Sequence, residues 1–191
     1  MSNLEKPSLT ETELAALEEF WAGDRSQPFH MARQETHCVC DVLFPGPWAS
    51  LLFGLRCLAG GIINGIPISS IKISLLRLMG VKIGKDVFIA PEVFIDPFYP
   101  WLIELEDDAF LGLGCRIFTH EYTADDFRIG RVRVGRGSVI GTYATLRCGV
   151  SIGRKVTVGA CSFVNKDVAD GVTVAGVPAR EIVRGAGSEA K

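Results

Sequence analysis

No run of Lys or Arg occurs anywhere in this 191-residue chain, and its 20 basic residues stand against 22 acidic ones. That balance removes the electrostatic footprint of a nucleic-acid binder. Also missing is an uncharged apolar stretch of the roughly 20 residues that a membrane span needs. The most apolar region, Val42 to Ile71, is broken by Pro45, Pro47, Arg56, the Gly60-Gly61 pair, Gly65 and Pro67. The segment Met1 to Glu19 carries five acidic side chains and lacks the apolar core of a secretory leader, so a cytoplasmic location is expected. Cysteine is sparse and irregular: six residues, at 38, 40, 57, 115, 148 and 161, form no disulfide framework for a chain of this size, and free thiols are expected. His37-Cys38-Val39-Cys40 could be half a metal site. No second Cys/His pair stands at ligand spacing, and tetrahedral zinc needs four ligands, so no metal is expected.

What the chain does have is a repeat. From Val134 an aliphatic residue returns every sixth position, at Ile140, Leu146, Ile152, Val158 and Val164, and Gly follows four of the six. A helix repeats every three to four residues and a half-buried strand every two. Period six belongs to a parallel β-helix. Four residues after each anchor stand Ser138, Ala144, Val150, Val156, Ser162 and Val168, all small or β-branched, as an inward corner requires. Gly135, Gly141, Gly153 and Gly159 are expected to relieve crowding there and to supply positive φ. The rhythm appears earlier at Ile83, Ile89 and Ile95, slips phase around Pro97 to Glu104, and resumes at Leu105, Leu111 and Ile117. The 17-residue step from Ile117 to Val134 is not a multiple of six, which predicts an excursion over about 120–133. Long loops on regular scaffolds often carry function.

With 48% apolar residues the chain can bury one principal domain with an appendage. The capping box Thr10-Glu11-Thr12-Glu13, followed by Leu14, Leu17, Phe20 and Trp21, predicts a first helix over about 11–22. Another is predicted from Ser69 or Ser70 to Met79, with Ile71, Leu75 and Leu78 on its packed side and Gly80 as its stop. Residues 42–79 are expected to cover the open end or a flank of the coil; the alternative is peripheral contact with a membrane interface. The boundaries are therefore 1–80 for a helical, apolar appendage, 81–179 for the coil and 180–191 for a tail.

His120 is the single histidine of the repeat region and stands where the coil breaks into its excursion. An imidazole titrates near neutrality and can relay a proton from a hydroxyl to a leaving group, which makes His120 the candidate base. Its neighbour Glu121, or a backbone carbonyl, is the candidate to orient the ring.

Phe118-Thr119-His120-Glu121, the excursion, Val134-Gly135 to Ile140-Gly141, Val158-Gly159-Ala160, Val164-Asn165-Lys166-Asp167 and the close Ala175-Gly176-Val177-Pro178-Ala179-Arg180 together resemble the hexapeptide-repeat acyltransferases. Among these, the maltose, galactoside and capsule-type O-acetyltransferases are nearest. The resemblance covers about residues 70–184. It implies a mainly β fold, a left-handed parallel β-helix assembled as a homotrimer with acetyl-CoA in grooves between coils; the general preference for right-handed crossovers would have pointed the other way. It implies His120 as general base, with an oxyanion held by backbone N–H groups near Gly141-Thr142. Acetyl-CoA, a cosubstrate, would meet Thr142 and Ala160 along its pantetheine arm and Lys166, Arg180 and Arg184 at its phosphates. Asp96 and Asp108, with Asp107 as the neighbouring alternative, are the candidates for contacting a hydroxyl-bearing, saccharide-type acceptor.

A carbonic anhydrase on the same coil needs three histidine ligands for zinc, and one coil histidine cannot supply them. Acyl transfer to an amine or antibiotic remains open at this level. So does a non-catalytic β-helix, since fold alone does not imply function.

Overall fold

The structure, a computed structural model, describes residues 11–23, 27–32, 46–123 and 126–182. Helix α1 spans Glu11–Ala22, strand β1 Phe29–Ala32, helix α2 Pro47–Asn64 and helix α3 Ser69–Leu78. The chain then makes short strands in groups of three: β2 (Lys82–Ile83), β3 (Phe88–Ile89) and β4 (Phe94–Ile95), then β5 (Ile103–Leu105), β6 (Phe110–Leu111) and β7 (Arg116–Ile117). An excursion follows, with β8 (His120–Tyr122) and β9 (Asp126–Ile129). The groups resume as β10 (Val132–Val134), β11 (Val139–Ile140) and β12 (Thr145–Leu146), then β13 (Ser151–Ile152), β14 (Thr157–Val158) and β15 (Phe163–Val164). The chain closes with β16 (Thr173–Gly176) and β17 (Ala179–Glu181).

Consecutive strands of a group never pair with each other. Each instead lies parallel to its counterpart one turn later, giving three parallel sheets: β2-β5-β10-β13, β3-β6-β11-β14-β16 and β4-β7-β12-β15. This is a parallel β-helix with three faces. Every anchor stacks on an anchor, for example Ile95 on Ile117, Leu146 and Val164, and together they form the buried interior. The corner positions Ser138, Ala144, Val150, Val156 and Ser162 are buried beside them. Val168 differs: it bridges to Ile152, so the last turn returns after four residues and Val168 serves as an anchor.

Positive φ falls elsewhere than expected. It occurs three residues after every anchor except Ile95, Ile117 and Val164, at Asp86, Glu92, Asp108, Tyr143, Lys155 and Cys161, and at Gly114, Gly137, Gly149 and Gly171. The glycines directly after anchors are needed for space instead. A Cβ on Gly141 would lie 2.6 Å from the backbone nitrogen of Ala160 in the next coil.

The first coil has no preceding coil, and α2 and α3 cover its edge. Arg77 donates to the carbonyls of Ile83 and Gly84 at the first sheet, Ser69 Oγ accepts from the Ile89 amide at the second, and the Asn64 side chain both donates to and accepts from Ile95 at the third. Exposed strand edges template unwanted pairing, and these contacts occupy them. The packed side of α3 differs from the expected one. Lys72 and Leu76 are its buried residues, whereas Ile71 and Leu78 face out. The reason is polar: Lys72, with 0% of its surface exposed, donates to the carbonyls of Asn64 and Val93 at 2.9 and 2.6 Å.

A second core lies outside the coil. The predicted excursion is an antiparallel hairpin, β8 with β9, and β1 adds to it as a third strand through β9. Leu17 and Phe20 of α1, Phe29, Phe127, Ile129, Tyr99 and Leu102 pack together over it, with Trp21, Phe98 and Trp101 alongside. Among the described residues no helix is long and apolar enough to cross a membrane, and Cys57, Cys115, Cys148 and Cys161 are free thiols. Cys38 and Cys40, with His37 and the tail residue Arg184, lie outside the described residues.

Candidate active site

Strands β4 and β7 pair with Ile95 against Ile117, so the residues that follow them also lie side by side. That register brings Asp96 against Thr119 and His120. Asp96 is buried, with 1% of its surface exposed. Its Oδ2 accepts from the Thr119 amide at 2.8 Å and the Thr119 hydroxyl at 2.6 Å, and lies 2.6 Å from His120 Nδ1; its Oδ1 accepts from the Phe98 amide at 3.0 Å. Burial alone would raise the pKa of this carboxyl. Hydrogen bonds from His120, Thr119 and the Phe98 amide, with the charge of the imidazole, outweigh it and hold Asp96 below the usual carboxylate range. An ionised carboxylate can only accept, so it fixes the imidazole proton on Nδ1 and leaves the Nε2 lone pair as the basic position.

The ring is held by stacking as well. Phe98 lies parallel to His120 at 4.2 Å and 2°, and Tyr99, Tyr122 and Phe127 approach within 6.0–6.4 Å. The side chain of His120 keeps 16% of its surface exposed. This is an oriented, partly desolvated imidazole at a surface.

Asp96 was expected to meet an acceptor, but all its bonding is directed into the protein and it has no open face. Glu121, expected to orient the ring, instead accepts from Arg147 Nε at 2.6 Å. Asp108 sits in the corner between β5 and β6, and Asp107 there accepts from the Lys85 amide and Arg136. His120 leaves the coil after β7, at a different corner, so one chain does not bring Asp107 or Asp108 to it.

Thr142 and Ala160 occupy equivalent exposed positions one coil apart, between the second and third sheets. At the corner between the first and second sheets, the corresponding amides of Lys85, Arg136 and Arg154 are capped by Asp107, Glu106 and Asp170. The amides of Thr142 and Ala160 make no such bond, whereas that of Gly141 is used by the Val158 carbonyl. Thr142 and Ala160, not Gly141, therefore present available donors. Lys166 stands two residues after Val164, as Thr119 stands two after Ile117, which places it on the corner row beside His120 two coils further on, about 10 Å along the axis. Lys166 and Arg180 line one cavity of about 380 Å³ at the end of the coil, into whose lining Asn165 contributes a buried Oδ1 without a hydrogen-bond partner. Among the described residues no group of His, Cys, Asp and Glu could hold a metal ion.

The aromatic shelf of Phe98 and Tyr99 was not anticipated. Its signal was the phase slip after Ile95, where Phe98, Tyr99 and Trp101 replace the hexad; stacking Ile95 on Ile117 would also have revealed the pairing of Asp96 with His120.

No protein-family model matches the chain. It is 37% identical over 102 residues to "Putative acetyltransferase YvoF" of Bacillus subtilis, covering 53% of this chain and 59% of that protein. The match thus spans less than two thirds of that relative. It is 32% identical over 129 residues to "Putative colanic acid biosynthesis acetyltransferase WcaF" of Escherichia coli, covering 55% of this chain and 70% of that protein. In fold it is similar to the hexapeptide-repeat acetyltransferase VCA0836 of Vibrio cholerae, with a TM-score of 0.59 at 20% identity over 73% of this chain and 93% of that one. That protein has also been crystallised with acetyl coenzyme A.

Proposed function

The chain belongs to the hexapeptide-repeat acetyltransferases, and on that premise we propose that it transfers an acetyl group from acetyl-CoA to a hydroxyl of a saccharide acceptor. The observation that carries this reading is the 2.6 Å contact between Asp96 and His120 Nδ1, which leaves Nε2 as a base. Nε2 takes the proton of the acceptor hydroxyl while its oxygen attacks the thioester carbonyl. The tetrahedral oxyanion is held by the Thr142 amide, already oriented and free of any coil bond, which stands at another corner of the coil and so meets His120 of a neighbouring chain in the homotrimer. Collapse breaks the C–S bond, and the thiolate of CoA leaves with the proton held on Nε2. Transfer is direct, without an acyl-cysteine. The imidazolium formed in between is stabilised by Asp96.

The pantetheine arm runs past Thr142 and Ala160, and the phosphates meet Lys166 and Arg180, with Arg184 beyond the described residues. We take the coil as left-handed and the assembly as a homotrimer, following the family resemblance, with the reaction on the cytoplasmic side. The colanic acid in the name of the Escherichia coli relative supports a saccharide acceptor.

The test is thiol release from acetyl-CoA against a panel of saccharides and amino alcohols, with calorimetric binding of CoA alongside. Transfer to a saccharide hydroxyl is expected, and His120→Ala is expected to keep CoA binding while turnover falls by roughly 10²–10⁴. Undiminished turnover in that variant removes His120 from the mechanism. Absence of CoA binding by the wild type leaves a structural β-helix as the better account.

A further inference from the structure

Helix α2 turns a narrow stripe toward the protein: Phe53, Arg56, Cys57, Gly60 and Ile63. Gly60 permits the approach, since a Cβ there would meet Pro97 at 2.3 Å. The opposite side is equally apolar and open. Trp48 is 77% exposed, Leu52 66% and Leu58 63%, with Leu51, Leu55 and Ile62 between them. Ile68, Ile71 and Leu78 extend exposed apolar surface onto α3 and its approach. A helix apolar all round is ordinarily covered all round, and a contiguous exposed apolar patch marks a surface that meets something.

Charge selects the occupant. From Val42 to Lys85 the chain has no Asp or Glu and carries Arg56, Lys72, Arg77, Lys82 and Lys85, so all 22 acidic residues lie elsewhere. Lys72 is buried and Arg56 belongs to the inward stripe, its guanidinium over the Trp101 ring at 4.8 Å, which leaves Arg77, Lys82 and Lys85 exposed. Two copies meeting through this face would bring like charges together, whereas an anionic bilayer attracts them. Among the described residues no helix is long and apolar enough to cross a bilayer, so contact is made by laying α2 along the interface.

We propose that the outward face of α2 docks on an anionic lipid bilayer and holds the His120 site just above it, so that the acceptor is a saccharide carried on a lipid. Phe53 meets Phe98 edge-on at 4.8 Å, and Phe98 stacks on His120 at 4.2 Å. One helix, about 10–12 Å across, and one ring therefore separate the bilayer from the base. The acceptor class rests on the acetyl-transfer reading; the docking does not.

The experiment is co-sedimentation of the full chain with vesicles of phosphatidylcholine alone and of phosphatidylcholine mixed with phosphatidylglycerol. The wild type is expected to pellet with the anionic vesicles, about tenfold more weakly with the neutral ones, with release by salt and a blue shift of Trp48 emission. Leu52→Glu combined with Leu58→Glu should stay in the supernatant while keeping its thermal transition and its transfer to a soluble saccharide. Wild-type protein that stays in solution with both vesicles overturns the proposal. So does lipid-free self-association, seen by sedimentation velocity, that the double variant abolishes, because a second copy is then the occupant. Should the double variant misfold, the wild-type pelleting and the Trp48 shift still decide. Vesicle binding without transfer to any saccharide sustains the docking and removes the acetyl-transfer reading.

Discussion

At the scale of single residues, Asp96 shows how position in the coil decides role. As a sequence letter it is an acidic residue beside a proline; as the residue after an anchor it lies against the coil that carries His120. Its four donors hold the carboxylate ionised, and its charge is used on the imidazole rather than on a ligand. Asp96→Asn keeps the size and part of the hydrogen bonding but removes the charge and the preference for the Nδ1 proton. Turnover is expected to fall by a hundredfold or more, toward the ~10⁴ that follows when a triad carboxylate is neutralised, with KM for acetyl-CoA little changed. An equal loss in kcat and in thermal stability, or a change confined to KM, would assign Asp96 to folding or binding instead. The positive-φ corners were illegible for a related reason. Six of the corner positions hold non-glycine residues, because the turn geometry is imposed by the sheets on either side and tolerated at modest strain.

Among elements, α3 is the one whose outward appearance in sequence misled. Its apolar letters predict a packed side through Ile71 and Leu78, yet Lys72 is what enters, because two backbone carbonyls at the capped end need donors more than the interior needs another methyl group. Burial lowers the pKa of Lys72 to about 8, against a smaller opposing influence from Cys115. The folded-state value lies below the unfolded one of 10.5, so between about 8 and 10.5 the unfolded chain binds more protons and stability from this group rises with pH. The neutral amine still has two protons to donate. Lys72→Met strands the Asn64 and Val93 carbonyls at a cost of about 1–3 kcal/mol. Relief of the buried charge offsets part of that near pH 7, so the deficit in denaturant-determined stability should widen as pH approaches 10. A variant as stable as the wild type at both pH values would show that these bonds contribute nothing.

Over the whole molecule, acidic groups tie the coils and the second core together. Lys85's amide together with Arg136 holds Asp107 low; burial would raise Asp96, Glu106 and Asp126, but their partners His120, Arg133 and Arg128 outweigh it. Folded values depressed below the ordinary 3.8–4.5 give stability that is present above that range and lost as pH falls through the folded values. The thermal midpoint should therefore hold from neutrality to about pH 5 and drop steeply below about 4; a flat profile down to about pH 2 would contradict these pairings. By itself the sequence determined the coil: anchors at period six specify which residues face inward, and identical short units can only bury their faces by stacking on one another. It also marked His120 and the break that carries it. Only the tertiary structure decided that Asp96 lies beneath the imidazole, that Phe98 stacks on it, that the amides of Thr142 and Ala160 stay open and that α2 keeps an apolar face outward. Each of these depends on which coil lies beside which and how an excursion folds back, and such non-local contacts are fixed by packing in three dimensions, which a one-dimensional period does not encode.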